Sequence, residues 1–247
     1  MKVASKVQPD GQSTVANISV NARIMQRFEA RWIDTFIQVL HRHRHVIGTK
    51  SLTTNINDYI TELNASVVKV NFEFPFFIEK TTPVSHEKCL VRYRCTYSAR
   101  SSSLRPPRIV LRIEIPVITT DPESTPAIQN RLFGQLSFVT IEAESNNEIY
   151  PEDIVEIVDR HSLSPVYSFL TAEDQDFIIQ KIHSEKKYSV VLVDEIKEEL
   201  AHLSDISWFS VRCNNFGMLH SYSTAVGTEK SKWVPESEFD LGLDENI

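Results

Sequence analysis

Residues 67–77 read VVKVNFEFPFF, and this stretch decides the class of fold. Its apolar side chains alternate with other residues, as on one face of a β-strand: Val68, Val70, Phe72 and Phe74. Pro75 lacks a backbone N–H, so we expect it to end this strand or to place it at a sheet edge. A short helix is predicted just upstream, over Asn55–Asn64.

Outward from this strand, the same alternation predicts four more strands, and helical spacing predicts the segments between them. The strands are Thr14–Asn21, Leu90–Ser98, Ile109–Val117 and Leu136–Glu144. One long amphipathic helix is predicted over Ile24–His45, and two or three helices between Pro151 and Leu203. A closing strand pair is predicted at Asp205–Cys213 and Met218–Val226, around a turn at Asn214–Gly217.

The order of these elements predicts an α+β protein in which one supersecondary unit occurs twice. Each unit has antiparallel strands with helices packed on one face. We place the first unit at residues 13–100, the second at 105–227 and an acidic C-terminal tail at 228–247. The tail from Glu229 onward holds six acidic residues and two lysines.

Composition excludes several classes of function. The 247 residues are 41% hydrophobic, which suits a globular core, and the net charge of −7 lacks the basic excess that nucleic-acid binding needs. Six glycines leave no GxGxxG or GxxxxGK[ST] phosphate loop. Three cysteines without a CxxC pair favour the reducing cytoplasm. No run of about 18 apolar residues and no signal-peptide core are present, so no membrane contact is expected.

Two local motifs each allow a functional and a structural interpretation. His41 and His45 in HRHRH are one helical turn apart and would suit a transition metal, but basic residues also stabilise a helix C-terminus. The segment FEFPFFIEKTTPVS, Phe72–Ser85, presents Lys80, Thr81 and Thr82 after a strand, as a ligand-holding loop does. The alternative is an aromatic strand end packed into the core.

Four segments in order give the chain a resemblance to the type IB GTP cyclohydrolases. FPFFIEKTTPVS with LVRYRCTYSA resembles one family signature, and IEIPVITTDPES (Ile113–Ser124) lies where the family has Val-Thr-Ser-Leu-Cys-Pro-Cys-Ser. FGQLSFVTIEAES (Phe133–Ser145) and NNFGMLHSYSTA (Asn214–Ala225) are similar to the two later segments. The resemblance implies a bimodular tunnelling fold, a homotetrameric barrel with sites between subunits, and conversion of GTP to dihydroneopterin triphosphate by a metal-bound water.

At most of the family's functional positions this chain carries a different residue. Asp121 and Glu123 replace the two cysteines, Phe133 the metal-binding histidine and Gln175 the metal-binding glutamate. The remaining replacements are Leu136 for an arginine, Phe138 for a histidine, Gly217 for a glutamate and Tyr222 for a histidine, whereas His220 is kept. The family's purine-anchoring glutamate falls near Val190, close to Glu185, Asp194 and Glu195.

These replacements argue against the family's zinc site, because phenylalanine is no ligand and glutamine is a weak one. Asp121, Glu123 and His220 would suit manganese or magnesium instead, or Asp121–Pro126 is simply a polar turn. Apart from this manganese or magnesium alternative, we expect no bound cofactor. His220 would then be the general acid or base, with Asp121 and Glu123 as carboxylate partners. Gln175 and Tyr222 would position the substrate, and Lys80, Thr81 and Thr82 would line the edge of the site.

Three hypotheses about function follow. The preferred one is a divergent, homo-oligomeric tunnelling-fold enzyme that acts on a small polar molecule, purine- or pterin-like or of another kind. The second is a non-catalytic ligand-binding or assembly subunit that retains the fold. The third is a true GTP cyclohydrolase with a changed metal site, which Leu136 disfavours because phosphate recognition needs fixed cationic donors.

Overall fold

The computed structural model describes residues 1–24, 31–122, 133–217 and 223–230. The helices are α1 (Arg31–Arg42), α2 (Thr49–Leu63), α3 (Pro151–His161), α4 (Ala172–Ser184) and α5 (Ser189–His202). The strands are β1 (Lys2–Val3), β2 (Gln12–Ser13), β3 (Asn17–Ile24), β4 (Ala65–Thr81), β5 (Lys88–Ser102), β6 (Arg105–Thr120), β7 (Gly134–Ser145), β8 (Ser164–Pro165), β9 (Ile206–Phe216) and β10 (Ser223–Glu229).

Eight of the described strands form one antiparallel sheet, with the main order β10-β9-β7-β6-β5-β4-β3 and with β8 paired to β6. Helix α2 packs on β4, β5 and β6, while α3 packs on β6 and α5 on β9 and β10. The prediction of an α+β protein, with antiparallel strands before and after each group of helices, is confirmed. No helix among the described residues is long and apolar enough to cross a membrane.

Alternation along the long strands separates an apolar face from a polar face. The central side chains on the helix-covered face of β4 are almost completely buried: Val68, Val70, Phe72, Phe74 and Phe76. Each fully buried phenylalanine contributes about 2–3 kcal/mol by leaving water. On the opposite face a polar groove of about 700 Å³ runs across the strands. All three cysteines are buried and none forms a disulfide.

Strand β4 continues through Pro75 to Thr81, so Pro75 does not end the strand; the other expected alternative, a position at a sheet edge, is the one observed. The pairing of β3 with β4 stops at Asn17 and Glu73, and beyond this point β4 has β5 as its sheet neighbour. The missing N–H of Pro75 therefore costs no bond to β3. Thr14 Oγ1 donates to Pro75 O, and the Gln12 amide exchanges two hydrogen bonds with the backbone of Phe77.

The predicted helix boundaries also need correction. Residues 17–24 belong to β3, so the helix predicted from Ile24 does not begin there. Helix α1 is Arg31–Arg42, and residues 25–30 of the predicted helix lie outside the described residues. Helix α2 begins at Thr49, six residues before the predicted start. The early start follows from a cap that comes from elsewhere in the chain: Glu148 accepts hydrogen bonds from the backbone of Thr49 and Lys50 at 2.7 and 3.1 Å. A capping group so distant in sequence leaves no local signal.

The first strand of the closing pair extends beyond its predicted end. Strand β9 runs to Phe216, so Asn214 and Asn215 lie in the strand and not in the predicted turn. Strand β10 spans Ser223–Glu229, and residues 218–222 of the predicted second strand lie outside the described residues. The sequence pattern at Asn214–Gly217 is typical of turns, but Asn215 is 3% exposed and is bonded inside the protein. Tertiary hydrogen bonds thus override the local preference of asparagine for turns.

Candidate functional site

The ends of three neighbouring strands meet at Asp121, Phe133 and Gly217. Asp121 follows β6 and is 6% exposed, and its N–H donates to Phe133 O at 2.8 Å. A Cβ atom on Gly217 would lie 3.6 Å from Asp121 Oδ2. The structure therefore brings together three of the positions at which the resemblance implied metal or catalytic residues.

A buried polar network lies behind this corner, centred on Asn215. Asn215 Oδ1 accepts hydrogen bonds from Ser137 Oγ and Cys213 Sγ, at 2.8 and 3.4 Å. Asn215 Nδ2 donates to Ser189 Oγ and Thr224 Oγ1, at 3.0 and 3.1 Å. Burial raises the pKa of the Cys213 thiol to about 11, so the thiol stays protonated and donates. The network fixes four segments of chain around the site.

A cavity of about 380 Å³ opens beside the corner. Its lining combines the polar network with apolar side chains: Thr120, Pro122, Tyr188, Ser189, Val190, Val191, Asn215, Thr224 and Val226. Helix α5 begins on this wall, and no side chain caps its N-terminus at Tyr188. The cavity is thus mostly apolar, with a few polar groups, as is typical of small-molecule sites.

An ionic chain connects this corner to the helices. Thr120 N–H donates to Lys187 O and Lys187 N–H donates to Thr120 Oγ1, both at 2.8 Å. Lys187 Nζ lies 2.8 and 2.6 Å from the two Glu195 oxygens, and His161 lies between Glu195 and Glu199. Burial alone would raise the pKa of Glu195, but Lys187 and then His161 outweigh it and hold that pKa below its usual range. Glu195 is therefore an ionised carboxylate that is already paired with Lys187 and His161.

Lys80 lies beneath the surface rather than at an open edge. Its side chain is 9% exposed, and Nζ lies 2.6 Å from Asp159 Oδ2 on α3. Thr82 is also buried: its hydroxyl is hydrogen-bonded to Ser85 Oγ at 2.7 Å, and it accepts from Glu87 N–H. Of the three residues expected to line the site, Thr81 alone is exposed.

The segment after β4 is held by Asp174, a residue that the sequence analysis did not single out. Asp174 is fully buried, and its carboxylate accepts hydrogen bonds from the backbone and hydroxyl of Ser85, from the backbone of Val84 and from Thr171. The sequence signal was Thr171–Asp174, a capping box at the start of α4. The neighbouring Gln175 is exposed, with its amide 3.5 Å from Leu170 O.

Replacing Asp174 with asparagine is expected to weaken the acid dependence of stability. Burial would raise the pKa of Asp174, but the hydrogen bonds from Ser85, Thr171 and Val84 hold it well below its usual range. A depressed pKa stabilises the fold above the unfolded-state value of about 4 and stops doing so as the pH falls below it. Urea unfolding between about pH 6 and pH 3 measures this, and a parallel pH profile in Asp174→Asn would contradict it.

Four predicted site residues or motifs need separate mention. His220, Glu123 and Tyr222 lie outside the described residues. The helical spacing expected for His41 and His45 is absent, because α1 ends at Arg42. His43 instead pairs with Asp58 at 2.8 Å, and His41 contacts Arg44. Across the described ranges, no three His, Cys, Asp or Glu side chains are grouped so that they could hold a metal ion.

Known structures with the same architecture define the class to which this fold belongs. A uricase from Bacillus fastidious superposes with a TM-score of 0.58 at 11% identity, covering 92% of this chain and 87% of that one. A uricase from Arthrobacter globiformis gives a TM-score of 0.53 at 10% identity, covering 93% and 90%. The chain is therefore a tunnelling-fold protein.

The sequence comparison is more specific than the structural one. Residues 1–226 match the model of the GCHY-1 family, type I GTP cyclohydrolase FolE2, and the chain belongs to this family. It is 31% identical over 221 residues to GTP cyclohydrolase FolE2 of Geobacter sp. strain M21, covering 90% of this chain and 82% of the relative. For the FolE2 of Geotalea uraniireducens, the identity is 32% and the coverage 90% and 81%.

Proposed function

We propose that the chain is a divergent, type IB-like enzyme of this family that acts on a small purine- or pterin-like metabolite without the family's zinc. One observation carries the proposal. Asp121 presents a buried carboxylate at the corner that it shares with Phe133 and Gly217, neither of which has a side-chain ligand atom. The resemblance implies a histidine and a glutamate of the family at the positions of Phe133 and Gly217. This donor set does not fit a zinc ion, which prefers histidine nitrogen and cysteine sulfur.

The chemistry proposed for this corner is general acid–base catalysis. His220 would take a proton from the attacking water and return it to the leaving group, with Asp121 and Glu123 as its carboxylate partners. Tyr222 and Gln175 would hold polar atoms of the substrate. A carboxylate as buried as Asp121 stabilises a neighbouring imidazolium more strongly than an exposed one, because little water screens it.

The cavity supports the proposed class of substrate. Val190, Val191 and Val226 offer apolar surface to a planar ring, and Asn215 and Thr224 lie beside it. Leu136 is 42% exposed, and Phe138 packs edge-on against Phe216. The resemblance implies an arginine and a histidine of the family at the positions of Leu136 and Phe138. These side chains supply no charge for a triphosphate, so a substrate with a smaller anionic group or none is proposed. Assembly as a homotetramer is proposed by family resemblance.

The test begins with a thermal-shift screen of purines, pterins and GTP, followed by turnover assays on the compounds that bind. For a converted compound, His220→Ala and Asp121→Asn are each expected to lower kcat by about 100-fold or more. Asp10→Asn, a change at an exposed residue between β1 and β2, is the matched control. Undiminished turnover in His220→Ala with the fold intact would rule out the proposed acid–base site.

A second candidate is GTP cyclohydrolase activity itself. It is favoured because the relatives are named GTP cyclohydrolase FolE2 and match 90% of this chain. Its test is incubation with GTP and zinc, manganese or magnesium, with the fluorescent pterin read out after oxidation. Product formation, together with a bound metal that is lost in Asp121→Asn, would replace the primary proposal. If no compound is converted but one stabilises the protein, the chain is a ligand-binding subunit, and the enzymatic proposal fails.

A further inference from the structure

Two hydroxyl groups on the wall of the cavity receive hydrogen bonds from one amide. Asn215 Nδ2 donates to Ser189 Oγ at 3.0 Å and to Thr224 Oγ1 at 3.1 Å. Both Ser189 and Thr224 line the cavity of about 380 Å³ beside the corner. Because both oxygens lie within hydrogen-bond distance of the same nitrogen, they are no more than about 6 Å apart. The two hydroxyls therefore form one short polar edge in a mostly apolar wall.

The direction of these two bonds is fixed from the other end of the amide. Asn215 Oδ1 accepts hydrogen bonds from Ser137 Oγ and Cys213 Sγ, which leaves the amide nitrogen for the two hydroxyls of the cavity wall. Burial raises the pKa of the Cys213 thiol, and a protonated thiol is a donor to that oxygen. Asn215 is thus a positioning residue that makes both hydroxyl oxygens acceptors of its own N–H groups.

A hydroxyl that accepts a hydrogen bond from the protein interior still has its own proton to donate. Ser189 is 7% exposed, and neither it nor Thr224 donates a hydrogen bond to any residue in the described ranges. None of the described residues that line the cavity is acidic. Val190 lies near the position at which the resemblance implies a purine-anchoring glutamate. This edge of the wall therefore offers a ligand two protons and no carboxylate.

We propose that Ser189 and Thr224 are specificity-determining residues that donate hydrogen bonds to two adjacent acceptor atoms of a planar ring. The inference rests on the proposed function, because it assigns contacts of the substrate in the same cavity. Hypoxanthine carries two such acceptors, the ring nitrogen N7 and the oxygen beside it, whereas adenine pairs N7 with an amino donor. An amino group that faces Ser189 leaves the buried hydroxyl proton without an acceptor, which lowers the binding affinity.

Calorimetric titration of the full chain with hypoxanthine and with adenine tests the proposal, because the two probes differ at this edge. The unmodified protein is expected to bind hypoxanthine about ten-fold more tightly than adenine. Ser189→Ala is expected to reduce this preference to about two-fold, because it weakens hypoxanthine binding more than adenine binding. Thr224→Val should reduce the preference by a smaller factor, since Thr224 is exposed and its proton can reach water.

Val191→Ala is the matched control, because it changes the apolar wall of the same cavity and leaves both hydroxyls in place. It should weaken the binding of both probes alike, so that the ratio of their dissociation constants stays unchanged. Equal binding of the two probes, binding of neither at millimolar concentration, or an undiminished preference in Ser189→Ala would overturn the inference.

Turnover assays separate this inference from the proposed function. A preference for hypoxanthine that falls in Ser189→Ala supports the inference even if no compound is converted, and in that case the enzymatic proposal alone fails. Conversion of a compound by a protein that binds both probes equally has the opposite meaning: the enzymatic proposal stands, and the assignment of Ser189 and Thr224 is wrong.

Discussion

Replacing Asn215 with alanine is expected to lower the free energy of unfolding by about 3 kcal/mol. The amide of Asn215 bonds Ser137, Ser189 and Thr224, all within or beside a buried network. Its loss removes the bond to the buried Ser189 and the acceptor of the buried Ser137, which keeps only its bond to Thr119, at about 1–3 kcal/mol for each group that stays buried and unsatisfied. The measurement is urea unfolding followed by circular dichroism.

The neighbouring residue provides the matched control for Asn215. Asn214 is partly exposed and faces the opposite side of β9, so Asn214→Ala is expected to change stability by no more than about 0.5 kcal/mol. Equal losses in the two alanine variants would show that strand propensity, and not the buried network, determines the effect. Asn215→Asp is expected to be at least as harmful as alanine, because it removes both amide donors and brings a charge into a buried place.

Replacing Gly48 with alanine is expected to cost about 2 kcal/mol of stability through overpacking. The added Cβ would lie 2.8 Å from Ala4 Cβ and would collide with the carboxylate of Glu148. That carboxylate caps α2 through Thr49 and Lys50, so it can move away only by giving up these hydrogen bonds. The backbone of Gly48 is extended, and the expected cost therefore arises from contacts and not from backbone strain.

Thermal unfolding of Gly48→Ala and Glu148→Ala separates the two contributions. Glu148→Ala removes the cap alone and is expected to cost about 1 kcal/mol. The double variant should lose less than the sum of the single losses, since the clash with Glu148 is then absent. Gly217→Ala is the control, because its Cβ would make only an ordinary contact with Asp121. A loss in Gly217→Ala as large as in Gly48→Ala would refute the steric explanation.

The sheet was predictable from the sequence because period-two alternation records which face of each strand is buried. The choice between the two alternatives for Pro75, a strand end or a sheet edge, was not predictable, because it depends on where β3 stops pairing, and no residue near Pro75 carries that information. The start of α2 depends in the same way on Glu148, about a hundred residues away. Errors occurred where a distant part of the chain supplied the partner.

In the candidate site, too, some features were predictable from the sequence, and those that depend on distant parts of the chain were not. The order of the matched segments was enough to expect Asp121, Phe133 and Gly217 at one corner, because the strands that carry them are neighbours in the sheet. The surroundings of Lys80 were not predictable, since a lysine in a surface-like segment gives no sign of Asp159 or of two tyrosine rings. The sequence indicates only that Asp174 belongs to a helix-capping box, and its hydrogen bond with Ser85 became known from the structure.

The order of strands in the sheet has a consequence for how the chain folds. Strands β4, β5, β6 and β7 follow one another in sequence and lie side by side, and β5 is joined to β6 through only Ser103 and Leu104. Closing such short loops costs little chain entropy. By contrast, β3 reaches β4 only across α1 and α2, and β9 reaches β7 across α3, α4 and α5. We therefore expect the central meander to nucleate the sheet and the outer strands to join it late.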